Sequence, residues 1–459
     1  MEENFLLNTP VSQWLYHECV GKLPIIDYHN HLSRRALLSG KGCENLAQLW
    51  VCCDPYKHRA MRICGIDEKY ITGQAEDWDK FQAWMSVLPR LVGNPLYDWS
   101  ILEMKRVFGI SLEPGVTDAQ GLWEQAEDLL SKQDHDPLKL LSGFGVEYAA
   151  PCALLTEDIS DFSQLDHFAP SLRGDNIVEA SAETLESLEQ LTQVSIGTLE
   201  DYYRAISLRL DAFSRAGCKF ADHALDNGFS YFQEDGTEKA LFVRRRRGDL
   251  LTGRERERLS SEILRFLAGE YARRGWVLQL HMGAQRYTSS RLRALAGPEG
   301  GIAGIGSCCN VKALTRMLDD FEKGQWGMPR VILFTMNPAD HAPMAVLSGS
   351  YSQDGAAGKV QLGPAWWWCD HLYGMRQVLE NISSFGVLSV FIGMTTDSRS
   401  ILSFVRHEYF RRVLCGWLGS KAEKGELLAS WENLKRLAED VCYYNAKRII
   451  EEKRRDNEF

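Results

Sequence analysis

At 459 residues, 45% of them hydrophobic, the chain is long enough to bury a large core. Its formal net charge of -10 leaves no electrostatic footprint for nucleic acid or an anionic membrane. No run approaches the ~18 consecutive apolar residues of a membrane span, and the start, MEENFLLNTPVSQW, has no basic segment followed by an apolar one, so a soluble, cytoplasmic protein is expected.

The first strand is predicted at 23–27 (LPIID), and the stretch IIDYHNHLS then brings His29 and His31. Strand residues two apart share a face, so the pair aims two imidazoles at one point, as a transition metal requires. A turn rich in His and Asn is the alternative. From about 35 to 140 no clear strand is legible, only apparent helices such as DEKYITGQ, DWDKFQAWMSVLPRLV, DWSILEMKRVFG and AQGLWEQAEDLLSKQ.

Seven further β-rich runs follow, at 146–155, 169–178, 218–223, 276–284, 330–337, 359–366 and 388–398. Helix-like stretches separate most of them, and three of these stop at or just before Gly. Near-continuously apolar strands alternating with helices point to a parallel sheet buried on both faces. Eight repeats predict a closed (β/α)8 barrel, with a doubly wound sheet as the other possibility. The chain then divides into a barrel start (1–34), a helical insertion capping the C-terminal face of the barrel (35–140), and the remaining barrel with C-terminal helices (141–459). The run VRRRRGD at 243–249 reads as a solvated loop or helix start, since acidic residues follow it. Twelve scattered cysteines form no CxxC pair and predict free thiols rather than a zinc ribbon.

Barrel enzymes keep their chemistry at the C-terminal ends of strands. There the sequence places His29 and His31, Arg173, Asp222 with His223, His281 with Arg286, Trp366, and Asp397-Ser398-Arg399. Two of these histidines with one aspartate would form a facial set that leaves positions open on zinc or a similar divalent metal. The arginines call for an anion, and without a glycine-rich phosphate loop a carboxylate is favoured.

The segments DYHNHL, KFADHALD, WVLQLHMGAQR, GPAWWW, GMTTDSRSILSFVRHEYFRRVLC and CYYNAKR, with GNPLYDWSILEMKRVFGI in the insertion, resemble the uronate (glucuronate) isomerases of the amidohydrolase superfamily. The resemblance runs through nearly the whole chain and implies a distorted (β/α)8 barrel with a helical insertion after the first strand. It implies interconversion of D-glucuronate with D-fructuronate and of D-galacturonate with D-tagaturonate through a cis-enediol, a divalent metal on His29, His31 and Asp397, a uronic acid as the small-molecule partner, and a homo-oligomer. It further implies Asp397 as base, Arg399 beside the reacting carbons, Tyr56 or His281 as hydroxyl proton shuttle, Arg173 as carboxylate clamp, Trp366 as pocket wall, and His223 and His281 as metal ligands or the groups just behind them. Arg286 and His223 are also expected to bind the substrate. The chain departs from the family at Pro55 and Asp98, where His is usual, and at Thr156-Glu157-Asp158-Ile159; these departures bear on the choice of uronic acid. A metal-dependent hydrolase of the same superfamily and a barrel that binds a sugar acid without turnover are the two other readings.

Overall fold

The computed structural model describes residues 3–39, 43–132, 136–225 and 229–452. Asp226, ending KFADHALD, and Gln133, ending the predicted AQGLWEQAEDLLSKQ helix, lie outside them. The chain enters the sheet at β1 (Ile25–Asn30), followed by β2 (Val146–Leu154), β3 (Ser171–Arg173), β4 (Phe220–Leu225) and β5 (Val277–Met282). A two-residue antiparallel pair, β6 (Ala284–Gln285) with β7 (Gly304–Ile305), precedes β8 (Arg330–Thr335) and β9 (Val360–Leu362). Without that small pair, seven strands form one curled parallel sheet in the order β1-β2-β3-β4-β5-β8-β9, helices covering its outer face. Every residue of β1 and β5 is buried, as a sheet covered on both faces demands.

The connecting helices follow local rules. Gly253–Arg274 opens on a Thr252/Glu255 capping box and stops at Gly275, whose φ of +68° suits a residue without Cβ. Ala182–Thr192 and Leu199–Arg215 bridge β3 to β4, after a short helix at Asp175–Glu179. The arginines of VRRRRGD end the helix Glu238–Arg246 and pair with acids, Arg244 to Glu255 at 2.6 Å and Arg246 to Glu189 at 3.0 Å. Among the described residues no helix is long and apolar enough to cross a membrane.

The eighth predicted strand, 388–398, does not form. Leu388–Val390 is a 3-10 turn, and Gly393 sits at φ +88° so close to Val441 that a Cβ would lie 2.1 Å from its carbonyl oxygen. The segment still closes the barrel, through side-chain and main-chain hydrogen bonds together. Gln361 Oε1 accepts from Ile392 N at 2.8 Å on the β9 side. On the β1 side Asp27 Oδ2 accepts from Thr396 N at 2.9 Å, His29 O from Asp397 N at 3.0 Å, and Ser398 O from His31 N at 2.8 Å.

Between β1 and β2 the described residues are helical, with no strand. The predicted DEKYITGQ helix is reduced to a 3-10 turn, Glu68–Tyr70. The helix that matters for function is Pro55–Ile63. Asp54 caps it, accepting from Tyr56 N and Lys57 N, and proline takes the first position, where no amide is needed. Lys57 is wholly buried, its ammonium 2.9 Å from Asp54 and 3.2 Å from Glu103. Asp27 is equally buried and holds the closing segment, so Asp27→Ala strands buried donors and an imidazole; the expected loss is about 3–5 kcal/mol, read as a lower urea midpoint with unchanged slope.

Candidate active site

A cavity of about 580 Å³ opens at the C-terminal ends of the strands. Of the residues singled out from sequence, His29, His31, Tyr56, Arg173, His281, Arg286, Trp366, Asp397 and Arg399 all line it. The sheet register explains the gathering, since Arg173 pairs with Asp222 across β3 and β4, and His281 sits two strands from Arg173 opposite Ala224. Asp222 and His223 are neighbours on β4, so their side chains leave opposite faces. Asp222 enters the cavity, whereas His223 turns away and meets the Tyr271 hydroxyl at 2.9 Å. His223 therefore does not reach the substrate cavity, contrary to the sequence expectation.

Asp397 is the hub. Its Oδ1 lies 3.3 Å from His29 Nε2 and 3.1 Å from His31 Nε2, and its Oδ2 accepts from Trp366 Nε1 at 2.8 Å. Ligand edges of roughly 3.3 Å are what a tetrahedral zinc bonded at ~2.0–2.1 Å produces, so the spacing suits a metal. The Asp397 backbone is held at φ +50°, a left-handed conformation costly for a residue with a Cβ and commonest at functional sites. Trp366 thus does more than wall the pocket; it fixes which carboxylate oxygen faces the histidines.

Behind His29 stands a second group of donors. Cys152 Sγ lies 3.7 Å from His29 Nδ1 and 3.7 Å from Asp222 Oδ1, and Asp222 Oδ2 lies 3.9 Å from His281 Nδ1. His29, His31 and Cys152 together offer ligand atoms within 4.8 Å of one another. The twelve cysteines are free thiols, as expected, and strand pairing, not a spaced motif, brings Cys152 to the histidines. The His281 ring lies between Phe334 and Trp366, each at 4.7 Å between centroids, and burial keeps its pKa well below the ordinary value. Its Nε2 is buried without a hydrogen-bond partner among the described residues, which marks a place for a ligand atom.

Two further charge pairs shape the cavity. Arg399 Nη2 meets Glu299 at 2.9 Å, and Arg173 Nε meets Asp175 at 3.4 Å. Tyr56 donates its hydroxyl to Asp370 Oδ2 at 3.1 Å, and Arg406 donates to the same oxygen at 3.2 Å while its guanidinium covers the Tyr56 ring at 4.3 Å. Burial raises the Asp370 carboxyl to about 7 against the lowering pull of Arg406, and burial together with Asp370 raises the Tyr56 phenol well above its usual value. Asp370, Arg406 and Cys152 were not legible as functional residues. Asp370 and Arg406 lie within the segments WWWCDH and RHEYFRR, yet only folding shows that both reach Tyr56. Of the departures from the family pattern, Pro55 lines the cavity; Asp98 does not, and burial raises its carboxyl to about 6.

The sequence profile of the glucuronate isomerase family matches residues 1–450. A uronate isomerase of Oceanobacillus iheyensis is 36% identical over 98% of this chain and 98% of its own length. Among solved structures, a uronate isomerase from Thermotoga maritima superposes with a TM-score of 0.90 at 26% identity, over 98% of this chain and 99% of its own. A glucuronate isomerase from Caulobacter crescentus superposes equally well, with a TM-score of 0.90 at 22% identity over 99% and 98%. The donor geometry generates a test that needs no substrate. Cys152→Ser is expected to lower zinc affinity roughly 10- to 100-fold in competition with a chromophoric chelator, and an unchanged affinity would reduce the thiol to a packing neighbour.

Proposed function

The chain belongs to the glucuronate isomerase family, and from that premise we propose that its cavity interconverts D-glucuronate with D-fructuronate and D-galacturonate with D-tagaturonate by moving a proton between C2 and C1 through a cis-enediol. The observation that carries this reading is the Asp397 carboxylate oriented by Trp366 in a cavity that also holds Arg173 and Arg399. A base and two guanidinium groups are what a substrate with one acidic C–H and one carboxylate requires.

The donor set His29, His31 and Asp397 fits a divalent metal, zinc first among them, and such an ion supplies a Lewis acid for substrate oxygens when bound. The protein's own residues do the rest. Arg173 pairs with the substrate carboxylate and holds the sugar in the cavity. Asp397 takes the C2 proton and returns it at C1. Arg399 exchanges its Glu299 partner for the oxygen on which negative charge builds. Tyr56, kept protonated by its surroundings, is a hydroxyl proton donor rather than a base, and Asp370 and Arg406 hold its ring and its hydroxyl. His281, kept neutral, offers Nε2 to a second hydroxyl, with Arg286 and Trp366 walling the cavity beside it.

Proton NMR in D2O of the zinc-loaded protein with each uronate tests the reading: ketose signals with deuterium incorporation are expected, and unchanged spectra for both sugars would overturn it. Arg173→Ala is expected to raise KM far more than it lowers kcat, because it removes binding common to ground and transition states. A larger loss in kcat would move Arg173 from the carboxylate to the reacting carbons. Asp370 is protonated below its pKa and anionic above it, so its pull on the Tyr56 proton strengthens as pH rises through about 7. The kcat profile is expected to show an inflection near that pH which Asp370→Asn abolishes; an identical inflection in the variant would assign it elsewhere.

A further inference from the structure

The cavity is larger than one uronate needs. A uronate has about thirteen non-hydrogen atoms, while cavities of ~300–1,000 Å³ take drug-sized ligands, and this one measures about 580 Å³. Most residues given roles above come from strand ends, the Pro55–Ile63 helix and the segment that closes the barrel. The same cavity is also lined by Arg286, Tyr287, Arg293, Pro298, Glu299 and Trp367, which follow β5 and β9.

This part pairs arginines with aromatic faces. The Arg293 guanidinium lies 4.3 Å from the Tyr287 ring centroid, and the Arg286 guanidinium 5.9 Å from that of Trp367. Tyr287 is 64% exposed. Trp367 holds a φ of +49°, a backbone conformation that a bulky residue keeps only when its surroundings impose it, and it stacks on Trp368 at 5.0 Å between centroids. An aromatic face beside a guanidinium is the chemistry that receives an acidic sugar, with the C–H face of the ring against the aromatic and the carboxylate on the arginine. Arg173 already accounts for the single carboxylate of a monomeric uronate.

Direction comes from the proposed function, on which this inference rests. With C1 and C2 held at Asp397 and the C6 carboxylate at Arg173, both ends of the sugar are engaged, and the middle carbons face the remaining volume. Tyr287 and Arg293 line the volume left over, and a substituent on O4 has that volume open to it. We propose that this outer region is a subsite for a second uronosyl unit, and that the protein isomerises the reducing-end uronate of a (1→4)-linked diuronide. The balance is that of the monomer. The reducing-end ring opens to its aldehyde, the C2 proton leaves and one is delivered to C1, the O2 proton moves to O1, and the glycosidic bond is untouched. No oxidant or reductant is consumed.

The experiment compares α-(1→4)-digalacturonate with D-galacturonate and D-glucuronate, using the zinc-loaded full chain and proton NMR in D2O. The expected result is a reducing-end ketose signal with the inter-sugar anomeric signal retained, and a KM for the dimer below that for galacturonate. Arg293→Ala and Tyr287→Ala are each expected to raise the dimer KM at least about tenfold more than the galacturonate KM, the size of one lost charged contact for the arginine and one lost aromatic contact for the tyrosine. The proposal is overturned if a single uronate is turned over while the dimer is neither isomerised nor competes with it. It is equally overturned if both variants shift the dimer and galacturonate alike. Failure with all three sugars overturns the proposed function itself, and the subsite with it.

Discussion

Asp27 is wholly buried, and its two carboxylate oxygens accept from Asn30 Nδ2, Thr395 Oγ1, Thr396 N and His407 Nε2. Those donors come from β1 itself, from the irregular segment that closes the barrel, and from the helix Val405–Glu423. A buried carboxylate is tolerated only when it is paired and hydrogen-bonded, so the three parts of the chain are obliged to meet at one point. His29 lies two residues along β1 and Asp397 one residue beyond Thr396. The contact that closes the barrel therefore also sets the distance between the Asp397 carboxylate and the histidines.

The same helix anchors the chain start. Arg411 donates to the carbonyl oxygens of Leu23 and Pro24, both at 2.7 Å, and Arg412 to those of Glu3 and Phe5. Arg406, one residue before His407, reaches into the site and packs on Tyr56 and Trp99. One helix thus holds β1, the closing segment and the helical insertion in register. The Lys57 ammonium between Asp54 and Glu103 performs the corresponding task within the insertion, fixing the capped end of the helix that carries Tyr56. Buried charges of this kind add little net stability against an apolar substitute, but each partner is costly to remove. They position side chains at tolerances that apolar packing alone does not impose.

Period and punctuation made most of the fold legible. Apolar runs bounded by helices located all seven sheet strands, and capping residues and glycines marked helix ends such as Thr252 and Gly275. The reading failed where side chains replace part of the main-chain pairing. LSVFIGMTTDS has the composition of a strand, but Gly393 turns the backbone, and Asp27 and Gln361 supply part of the hydrogen bonding a ladder would make. His223 failed for a related reason: adjacent strand residues point to opposite faces, and only the register of β4 shows which one enters the cavity. DEKYITGQ had helical composition without a wide apolar face, and tertiary packing left it one turn.

The sequence by itself determined the alternation of elements, the placement of His29, His31, Arg173 and His281 at strand ends, and the family, because these follow from local pattern and ordered motifs. Only the tertiary structure decided that Cys152 and Asp222 stand behind His29, that Trp366 orients Asp397, and that Asp370 and Arg406 hold Tyr56. Each of those contacts joins residues more than thirty positions apart. No local period or motif encodes such a distance; it is set by how the closed sheet and the insertion pack around shared buried charges.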